Sequence, residues 1–308
     1  MPFLEIAYNQ DLNMSYKVEY ITKLLQKTST IAIENYCLTR LWHKLDNDEI
    51  KVVPQQYVAR NFDKWPLTGI YFPQFKIHIG VNEPSHYNFV ERIQADEERK
   101  KEIENNKGHK LFVIDCRHEL SKIHQQIDEI IVTINKAHFE QIANGIFKPW
   151  QPDIDRNPDF WRSKIAINES DDISFSSAED ICKLFQADFH KTKGICMAQG
   201  GLFHPKNSNY LIWWPSEKSK QGWLINLSED EEEIIETHSD EEKKAKYFNE
   251  HQNTSQKRIV FFLFKDFLGL TNYNFKGVYS YDDSKSNLSI GTVWKRDSKN
   301  VNLLKLSD

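Results

Sequence analysis

A segment rich in proline and tryptophan divides this 308-residue chain into two halves that differ in the pattern of their apolar residues. Residues 147–161 read FKPWQPDIDRNPDFW, with three prolines and two tryptophans in fifteen positions. Each proline fixes its own φ and restricts the residue before it, so this composition favours a stiff connection over a helix or a central strand. We therefore predict two domains, residues 1–146 and 159–308, joined by a linker at residues 147–158.

The first half combines helical and strand patterns. Three segments place apolar residues at helical spacing: 16–26, 31–45 and 119–144. From Ile70 to Val81 apolar and polar residues alternate around a turn at Pro73-Gln74, which predicts a strand pair. The apolar run KLFVID at residues 110–115 is typical of a strand at the centre of a sheet covered by helices. This order of elements predicts an α/β domain.

The second half consists mainly of short apolar runs separated by turn residues. The runs are 194–197, 210–214, 258–264, 275–281 and 290–296. Several short strands with few helices predict a small barrel or sandwich. Residues 229–242 hold nine acids and no Lys or Arg, and we expect this block to be a solvated loop or helix face.

Composition excludes several classes of protein. Hydrophobic residues make up 39% of the chain, which is enough for buried cores, and no apolar run reaches the roughly 18 residues of a membrane span. The start of the chain lacks the basic and apolar segments of a secretory signal. The cysteines form no CxxC pair, which favours reduced thiols, so we expect a cytoplasmic protein. The net charge of −5 argues against nucleic-acid binding dominated by phosphate contacts, unless basic residues cluster locally.

Polar residues at alternate positions of the second predicted strand lead to Glu83 and His86. Metal-dependent nucleases collect ligands in this way, because phosphodiester hydrolysis uses a cation held by carboxylates from neighbouring elements. Glu34, on an otherwise apolar helix face, would complete such a site. A lone glutamate on a helix is more often an ordinary surface residue, so the pattern alone leaves both interpretations open.

Long stretches of the chain match one known family, in order along most of its length. They include IENYCLTRLWHKL, LTGIYFPQFKIHIGVNEPSHYN, QIANGIFKPW, GGLFHP, LIWWPS, GWLINLSEDEEEIIE and KRIVFFLFKDFLGLTNYNFKGVYSYD. In these stretches the chain closely resembles the AbaSI-like modification-dependent restriction endonucleases, which cut DNA carrying 5-hydroxymethylcytosine or its glucosylated form. The resemblance implies an α/β Vsr-like nuclease domain of the PD-(D/E)XK type, followed by a β-rich SRA-like domain, a PUA-like barrel.

The resemblance also implies catalytic residues. Glu34 matches the family's helix carboxylate, and Glu83 and His86 match the acid and the histidine that close the second strand. We therefore expect Glu34 and Glu83 to bind a divalent cation, Mg²⁺, and His86 to activate or protonate an oxygen.

Three positions depart from the family's acids: Gly69, Gly80 and Asn82. Glycine offers no side-chain ligand, and an asparagine carbonyl is an uncharged and weaker one. The departures predict weaker metal binding than in relatives, unless the site is Vsr-like with histidine assistance, in which case Glu34, Glu83 and His86 suffice.

An SRA-like reader takes the modified nucleotide out of the stack and holds it by aromatic stacking and by hydrogen bonds to the base edge. The candidate pocket residues are Trp214, Trp223, Asn226, Asp230 and Glu236. Any single aromatic is more often part of the core, and the pair of Trp223 and Asn226 is the preferred candidate. Basic residues that flank the strands are candidates for phosphate contacts: Lys191, Lys193, Lys257, Arg258, Lys295 and Arg296.

The leading hypothesis is an endonuclease that recognises modified cytosine in double-stranded DNA by base flipping and cuts the backbone at a fixed distance. One nuclease site cuts one strand, so a double-strand break implies a homodimer, and defence against phages is the implied purpose. An alternative is a catalytically impaired protein that only binds modified-cytosine DNA. A third class, a small-molecule enzyme built on the aromatic-rich barrel, is disfavoured because no nucleotide or cofactor motif is present.

Overall fold

The computed structural model describes residues 15–29, 32–57, 67–82, 101, 108–191, 193–194, 200–217, 221–266 and 268–303. The chain divides into two compact units, Met1–Pro152 and Asp153–Asp308, so the predicted linker is shared between them. Trp150 belongs to the first unit, since its backbone N–H donates to the carbonyl oxygen of Glu49 at 2.7 Å and its ring packs edge-on against Tyr20.

The N-terminal unit combines helices with one mixed sheet. Its elements are α1 (Tyr16–Thr28), α2 (Ala32–Leu45), β1 (Val53–Tyr57), β2 (Leu67–Phe72), β3 (Ile77–Asn82), β4 (Lys110–Asp115) and α3 (Leu120–Ala143). The sheet order is β1-β2-β3-β4, with antiparallel pairs except for the parallel pair β3–β4. The predicted helices and hairpin are confirmed. Residues 89–107, which are dense in Glu, Lys and Arg and whose pattern predicts a solvent-facing helix, lie outside the described residues apart from Lys101.

The N-terminal core lies between the helices and one face of this sheet. On α3, Ile127, Ile130, Ile131 and Ile134 are buried, at the spacing that places them on one side of a helix. The prediction of a central strand at 110–115 was wrong: in the described part of the chain β4 ends the sheet, and Val113 is 45% exposed. An apolar run does not reveal how many neighbours its strand has.

The C-terminal unit is β-rich. Its elements are α4 (Pro152–Asp155), α5 (Pro158–Arg162), β5 (Ala166–Asn168), β6 (Ser174–Phe175), α6 (Ala178–Leu184), β7 (Gly201–His204), β8 (Asn207–Trp213), β9 (Trp223–Leu227), β10 (Glu233–His238), α7 (Glu241–His251), β11 (Lys257–Lys265), β12 (Thr271–Tyr281), β13 (Thr292–Ser298) and β14 (Asn300–Asn302). The main sheet has the order β7-β8-β11-β12-β13-β10-β9, and β6 pairs with β12. The predicted run 194–197 lies outside the described residues apart from Gly194.

The main sheet separates two apolar clusters. One cluster contains Ile212 and Trp214 with residues of α5 and α6. The other contains Leu211 and Trp213, together with Trp294 and other strand residues. Successive side chains of β8 therefore point to opposite faces, as strand geometry requires, and both faces are covered.

The interpretation of residues 229–242 as a solvated loop or helix face was wrong. Residues 233–238 form β10, which pairs with β9 and β13, and α7 begins after its N-cap Asp240. Acids of this stretch pair with basic residues elsewhere in the unit: Glu231 with Lys276, Glu232 with Arg296, Glu233 with Lys285 and Glu236 with Arg258. Local composition conceals such pairing, because the partners are distant in sequence.

Among the described residues, no helix has both the length and the apolar character that crossing a membrane requires.

Candidate functional site

Glu34 lies in the first turn of α2, on the face that carries the buried residues Cys37, Leu38 and Leu41. Its side chain is 9% exposed. A Cβ atom built on Gly69 would lie 3.5 Å from Oε2 of Glu34. The pairing of β2 with β3 begins at Ile70, so the Glu34 carboxylate reaches the sheet just beyond the paired part of this hairpin.

The other two departures from the family's acids, Gly80 and Asn82, lie on one face of β3. A Cβ atom on Gly80 would be 3.8 Å from Oδ1 of Asn82, so acids at both positions would share that face. Asp115 on β4 pairs with Asn82 in the sheet, but its carboxylate accepts hydrogen bonds from the backbone N–H of Arg117 at 3.0 Å and from the guanidinium, through Nε at 3.0 Å and Nη2 at 2.6 Å. The hydrogen bond from Arg117 lowers the pKa of Asp115 to about 2.

The described residues do not make up a metal site by themselves. They contain no group of three or more His, Cys, Asp or Glu side chains able to hold one ion. Glu83 and His86, the other two predicted catalytic residues, lie outside the described residues. Of the predicted metal ligands, the structure thus describes only the Glu34 carboxylate.

A contact between two histidines in the N-terminal unit was not predicted. His78, on β3, is 3% exposed; its ring stacks on Tyr71 at 4.2 Å between centroids, and its Nε2 lies 2.8 Å from Nδ1 of His109. Burial, with a smaller contribution from His109, lowers the pKa of His78 to about 4. His78 is therefore neutral near pH 7, and its alternate position in the strand does not make it solvent-facing.

In the C-terminal unit, a buried ion pair joins two strands and α7. Nη1 of Arg258 on β11 donates to Oε2 of Glu236 on β10 at 2.8 Å. The hydroxyl of Tyr247 on α7 donates to the same oxygen at 2.5 Å and accepts from Nη2 of Arg258 at 2.7 Å. Burial raises the pKa of Tyr247 far above its ordinary value, so the phenol stays protonated. The guanidinium lies 3.5 Å from the ring centroid of Trp294 and 4.3 Å from that of Trp213, at cation–π distance.

Trp223 and Glu236 are brought together in this network. The Trp223 ring packs edge-on against Tyr247, at 4.7 Å between centroids, and against His238, at 4.9 Å. We call the set of Trp223, Glu236, Tyr247, Arg258 and Trp294 the polar cluster. Its charged pair is almost inaccessible, since Glu236 is 7% exposed and Arg258 2%.

The other three predicted pocket residues lie elsewhere. Asn226 is exposed and lies on the opposite face of β9 from Trp223, three positions away. Asp230 forms the turn after β9, where it accepts hydrogen bonds from the hydroxyl of Ser228 and the backbone N–H of Glu232. Trp214 packs into the apolar cluster behind the sheet. The preferred pair of Trp223 and Asn226 is therefore not on one face.

Several buried polar atoms lie in the polar cluster or beside it. Thr292 Oγ1, Tyr281 Oη, Trp294 Nε1 and Arg258 Nε have no hydrogen-bond partner within the described parts of the chain. Thr292 lies directly opposite Glu236 in the sheet, and Tyr281 lies opposite Trp294. Buried polar groups are normally hydrogen-bonded, so a concentration of unpaired ones is unusual.

Several of the proposed phosphate contacts are engaged in ion pairs within the fold. Arg258 is buried in the polar cluster, so its assignment as a phosphate contact was wrong. Arg296 is likewise tied to Glu232, with 4% of its side chain exposed. Lys257 pairs with Asp297, and Lys191 with Asp188. Lys193 and Lys295 are exposed and remain candidates.

The chain matches two family models in succession. Residues 18–152 match the N-terminal domain of restriction endonucleases described as PvuRts1 I-like, and residues 160–303 match the SET and RING associated domain. The solved structure of the 5-hydroxymethylcytosine-specific restriction enzyme AbaSI is 29% identical, aligns over 92% of this chain and 97% of its own, and superposes with a TM-score of 0.70. The predicted resemblance to the AbaSI-like family is confirmed.

The predicted fold of the AbaSI-like chain, an α/β restriction-endonuclease domain followed by an SRA-like domain, is confirmed. At 29% identity the chain is a relative of AbaSI and not the same protein. No curated protein matches the chain.

Proposed function

We propose that this chain is a modification-dependent DNA endonuclease. Its C-terminal domain recognises 5-hydroxymethylcytosine, or the glucosylated base, in double-stranded DNA, and its N-terminal domain hydrolyses the backbone at a fixed distance. The observation that carries the proposal is the match to AbaSI over nearly the full length of both chains, with a nuclease domain and a reader domain in the same order.

Recognition by base flipping follows from the chemistry of the mark. The hydroxymethyl group and its sugar are attached to the base, and a closed pocket reads such groups best after the nucleotide leaves the stack. The polar cluster supports this role, because it combines the aromatic ring of Trp223 with buried polar atoms near Glu236 that have no hydrogen-bond partner in the described parts of the chain. We propose Trp223 and Glu236 as the base-reading residues.

For the cut, we propose Glu34 and Glu83 as ligands of a divalent cation, Mg²⁺, with His86 activating or protonating an oxygen. Restriction endonucleases of this class generally use divalent cations, which neutralise charge on the phosphate. The burial of Glu34 at the end of the hairpin supports its part in this assignment. A double-strand break then requires two chains, so the active form is a homodimer. Defence against phages with modified cytosines is the corresponding purpose.

A digest tests the proposal. Four duplexes of one sequence would carry cytosine, methylcytosine, 5-hydroxymethylcytosine or its glucosylated form at one site, each incubated with and without Mg²⁺. We expect products of defined length only from the last two duplexes, and only with Mg²⁺. Equal cutting of the unmodified duplex would contradict the proposal.

The alternative function is a protein that binds modified cytosine without cutting. It is favoured by Gly69, Gly80 and Asn82, since each leaves the hairpin without an acid that could bind metal. Cleavage separates the two functions, because both predict a preference for the modified base. Tight binding with intact DNA after hours in Mg²⁺ would establish the alternative.

A further inference from the structure

Two cysteines that are distant in sequence, Cys37 and Cys116, bring their thiols together in the N-terminal unit. Cys37 lies on the buried face of α2. Cys116 directly follows β4, and its backbone N–H donates to the carbonyl oxygen of Asn82 at the end of β3, at 3.0 Å. The side chains of the two cysteines form a hydrogen bond with each other. Both side chains are thiols in this structure, so the pair is in its reduced form.

The two thiols lie close to the buried carboxylate of Glu34. Cys37 follows Glu34 by three positions on the same buried face of α2, which is about one helical turn. The carboxylate and the Cys37 thiol are close enough to interact electrostatically. Asn82, to which Cys116 is hydrogen-bonded, directly precedes Glu83 in the sequence. A covalent bond between the two sulfur atoms would therefore join the helix that carries Glu34 to the ends of β3 and β4.

The two cysteines differ in their access to solvent. Cys37 is 0% exposed, whereas Cys116 is only partly buried. A small oxidant from solution therefore meets Cys116 first, and Cys37 is placed to react with the oxidised product. An accessible cysteine next to a second, resolving cysteine is the usual arrangement of a redox-sensitive pair. Cys182 differs, since it is buried within the apolar cluster of the C-terminal unit.

We propose that Cys37 and Cys116 form a reversible disulfide in the presence of a peroxide, and that this bond slows the nuclease. The Cys116 thiolate attacks one oxygen of hydrogen peroxide, the O–O bond breaks, and hydroxide leaves and takes up the proton that the thiol released. The Cys37 sulfur then attacks the sulfur of the resulting sulfenic acid, the S–O bond breaks, and water leaves with the Cys37 proton. Two thiols thus lose two electrons, and one peroxide becomes two molecules of water.

The disulfide would displace the helix that carries Glu34. An S–S bond is about 2.05 Å long, which is much shorter than any non-bonded contact between two sulfur atoms, so the bond draws α2 toward the end of β4. A displacement of about 1 Å in a catalytic geometry can lower a rate by about a hundredfold. The existence of the disulfide is independent of the proposed function, whereas its effect on cleavage rests on that function.

Peptide mapping by mass spectrometry tests the bond directly. The full chain is treated with hydrogen peroxide, its remaining thiols are alkylated in denaturant, and it is digested without reduction. We expect a cross-linked peptide that joins Cys37 to Cys116 and that disappears after treatment with dithiothreitol. Cys182→Ser is the matched control and should leave the cross-link intact. A wild type in which Cys116 is oxidised to sulfinic acid, or pairs with another cysteine, would overturn the proposal.

Two variants test the order of the steps. Cys37→Ala removes the resolving thiol, so the sulfenic acid at Cys116 should persist and react with dimedone. Cys116→Ser removes the accessible thiol, so Cys37 should remain a thiol after the same peroxide treatment. Oxidation of Cys37 in the Cys116→Ser variant at the wild-type rate would contradict the proposed order, in which Cys116 reacts first, and overturn the proposal.

Cleavage of a duplex carrying 5-hydroxymethylcytosine separates failure of the switch from failure of the function. We expect the oxidised wild type to cut at least about tenfold more slowly than the reduced one, to recover with dithiothreitol, and Cys116→Ser to cut equally fast before and after peroxide. If the cross-link forms but the reduced wild type does not cut, the disulfide site stands and the endonuclease function fails. If the cross-linked protein cuts as fast as the reduced protein, the proposed switch is overturned.

Discussion

Glu34 in the N-terminal domain and Glu236 in the C-terminal domain are both buried, but their surroundings differ. Glu236 is held by the guanidinium of Arg258 and the hydroxyl of Tyr247. Glu34 lies beside Gly69, and a Cβ atom built on that glycine would be 3.5 Å from Oε2 of Glu34. The Glu236 carboxylate is neutralised by a cation of its own domain, whereas the Glu34 carboxylate lies at the end of a hairpin, where we propose that it binds a divalent cation.

The largest expected effect concerns the ion pair of Glu236. Arg258→Met leaves the buried carboxylate without its cation, and breaking a buried pair in this way costs about 3–5 kcal/mol of unfolding free energy. Denaturant unfolding of the full chain, followed by tryptophan fluorescence, measures the loss. Glu236→Gln in addition should recover part of it.

Lys257→Met is the matched control, since it removes the same charge from the neighbouring position. Lys257 and Asp297 form a half-exposed pair, and such pairs contribute at most about 1 kcal/mol. Equal losses in the two variants would show that burial of the Arg258–Glu236 pair does not increase its contribution to stability.

The second prediction concerns Glu34, the buried carboxylate of the N-terminal domain. Glu34→Gln should slow cleavage of modified DNA by about a hundredfold or more, because the amide lacks the negative charge that the chemistry uses, while the affinity for modified DNA stays unchanged. Single-turnover cleavage and fluorescence anisotropy measure the two quantities. Glu19→Gln is the control, since Glu19 also lies in the first turn of a helix but is partly exposed and pairs with Lys23. Undiminished cleavage by Glu34→Gln would remove this residue from the site.

The third prediction extends the comparison to a group that the N-terminal domain buries without charge. The pKa of His78 is lowered to about 4, below the unfolded value of about 6.5. Between these values the unfolded chain binds the proton and the folded chain does not, so stability is full above pH 6.5 and falls as the pH drops toward 4.

From pH 7 to pH 5 we expect His78 to account for roughly 2 kcal/mol of lost stability. Denaturant unfolding at the two pH values measures it, and His78→Phe should reduce the loss by that amount. His43→Gln, at an exposed position of α2, should change nothing. An equal pH dependence in the wild type and His78→Phe would show that another group is responsible.

The smallest expected effect concerns Trp223 in the C-terminal domain and the preference for the modified base. Trp223→Ala should abolish most of the preference for modified over plain cytosine, a change of about tenfold in relative affinity, because one stacking surface is lost. Leu224→Ala, on the opposite face of β9, should leave the preference intact. If Trp223→Ala still discriminated fully, this tryptophan would lie outside the pocket.

The sequence pattern predicted the N-terminal elements well because local periodicity decides them. The amphipathic helices span residues 16–28, 32–45 and 120–143, and Pro73-Gln74 marks the turn in the sequence. The family and its two-domain order were also predictable, because the matching stretches span most of the chain.

The C-terminal site was less predictable because its strands are covered on both faces. In KRIVFFLFK neither face is polar, so the alternation that would point Arg258 inward is hidden, and its partner Glu236 lies 22 positions away. Asn226 was grouped with Trp223 although three positions along a strand reverse the side-chain direction. Helix α7, which carries Tyr247, begins at the end of the acidic stretch 229–242, whose composition predicts a solvated loop or helix face.

The central claim is that the C-terminal domain distinguishes a modified cytosine from a plain one. The most direct measurement is equilibrium binding of the full chain, without divalent cations, to two duplexes that differ only in one 5-hydroxymethyl group. We predict at least about tenfold tighter binding to the modified duplex, a difference of about 1.4 kcal/mol. Equal affinity for the two duplexes would contradict the account.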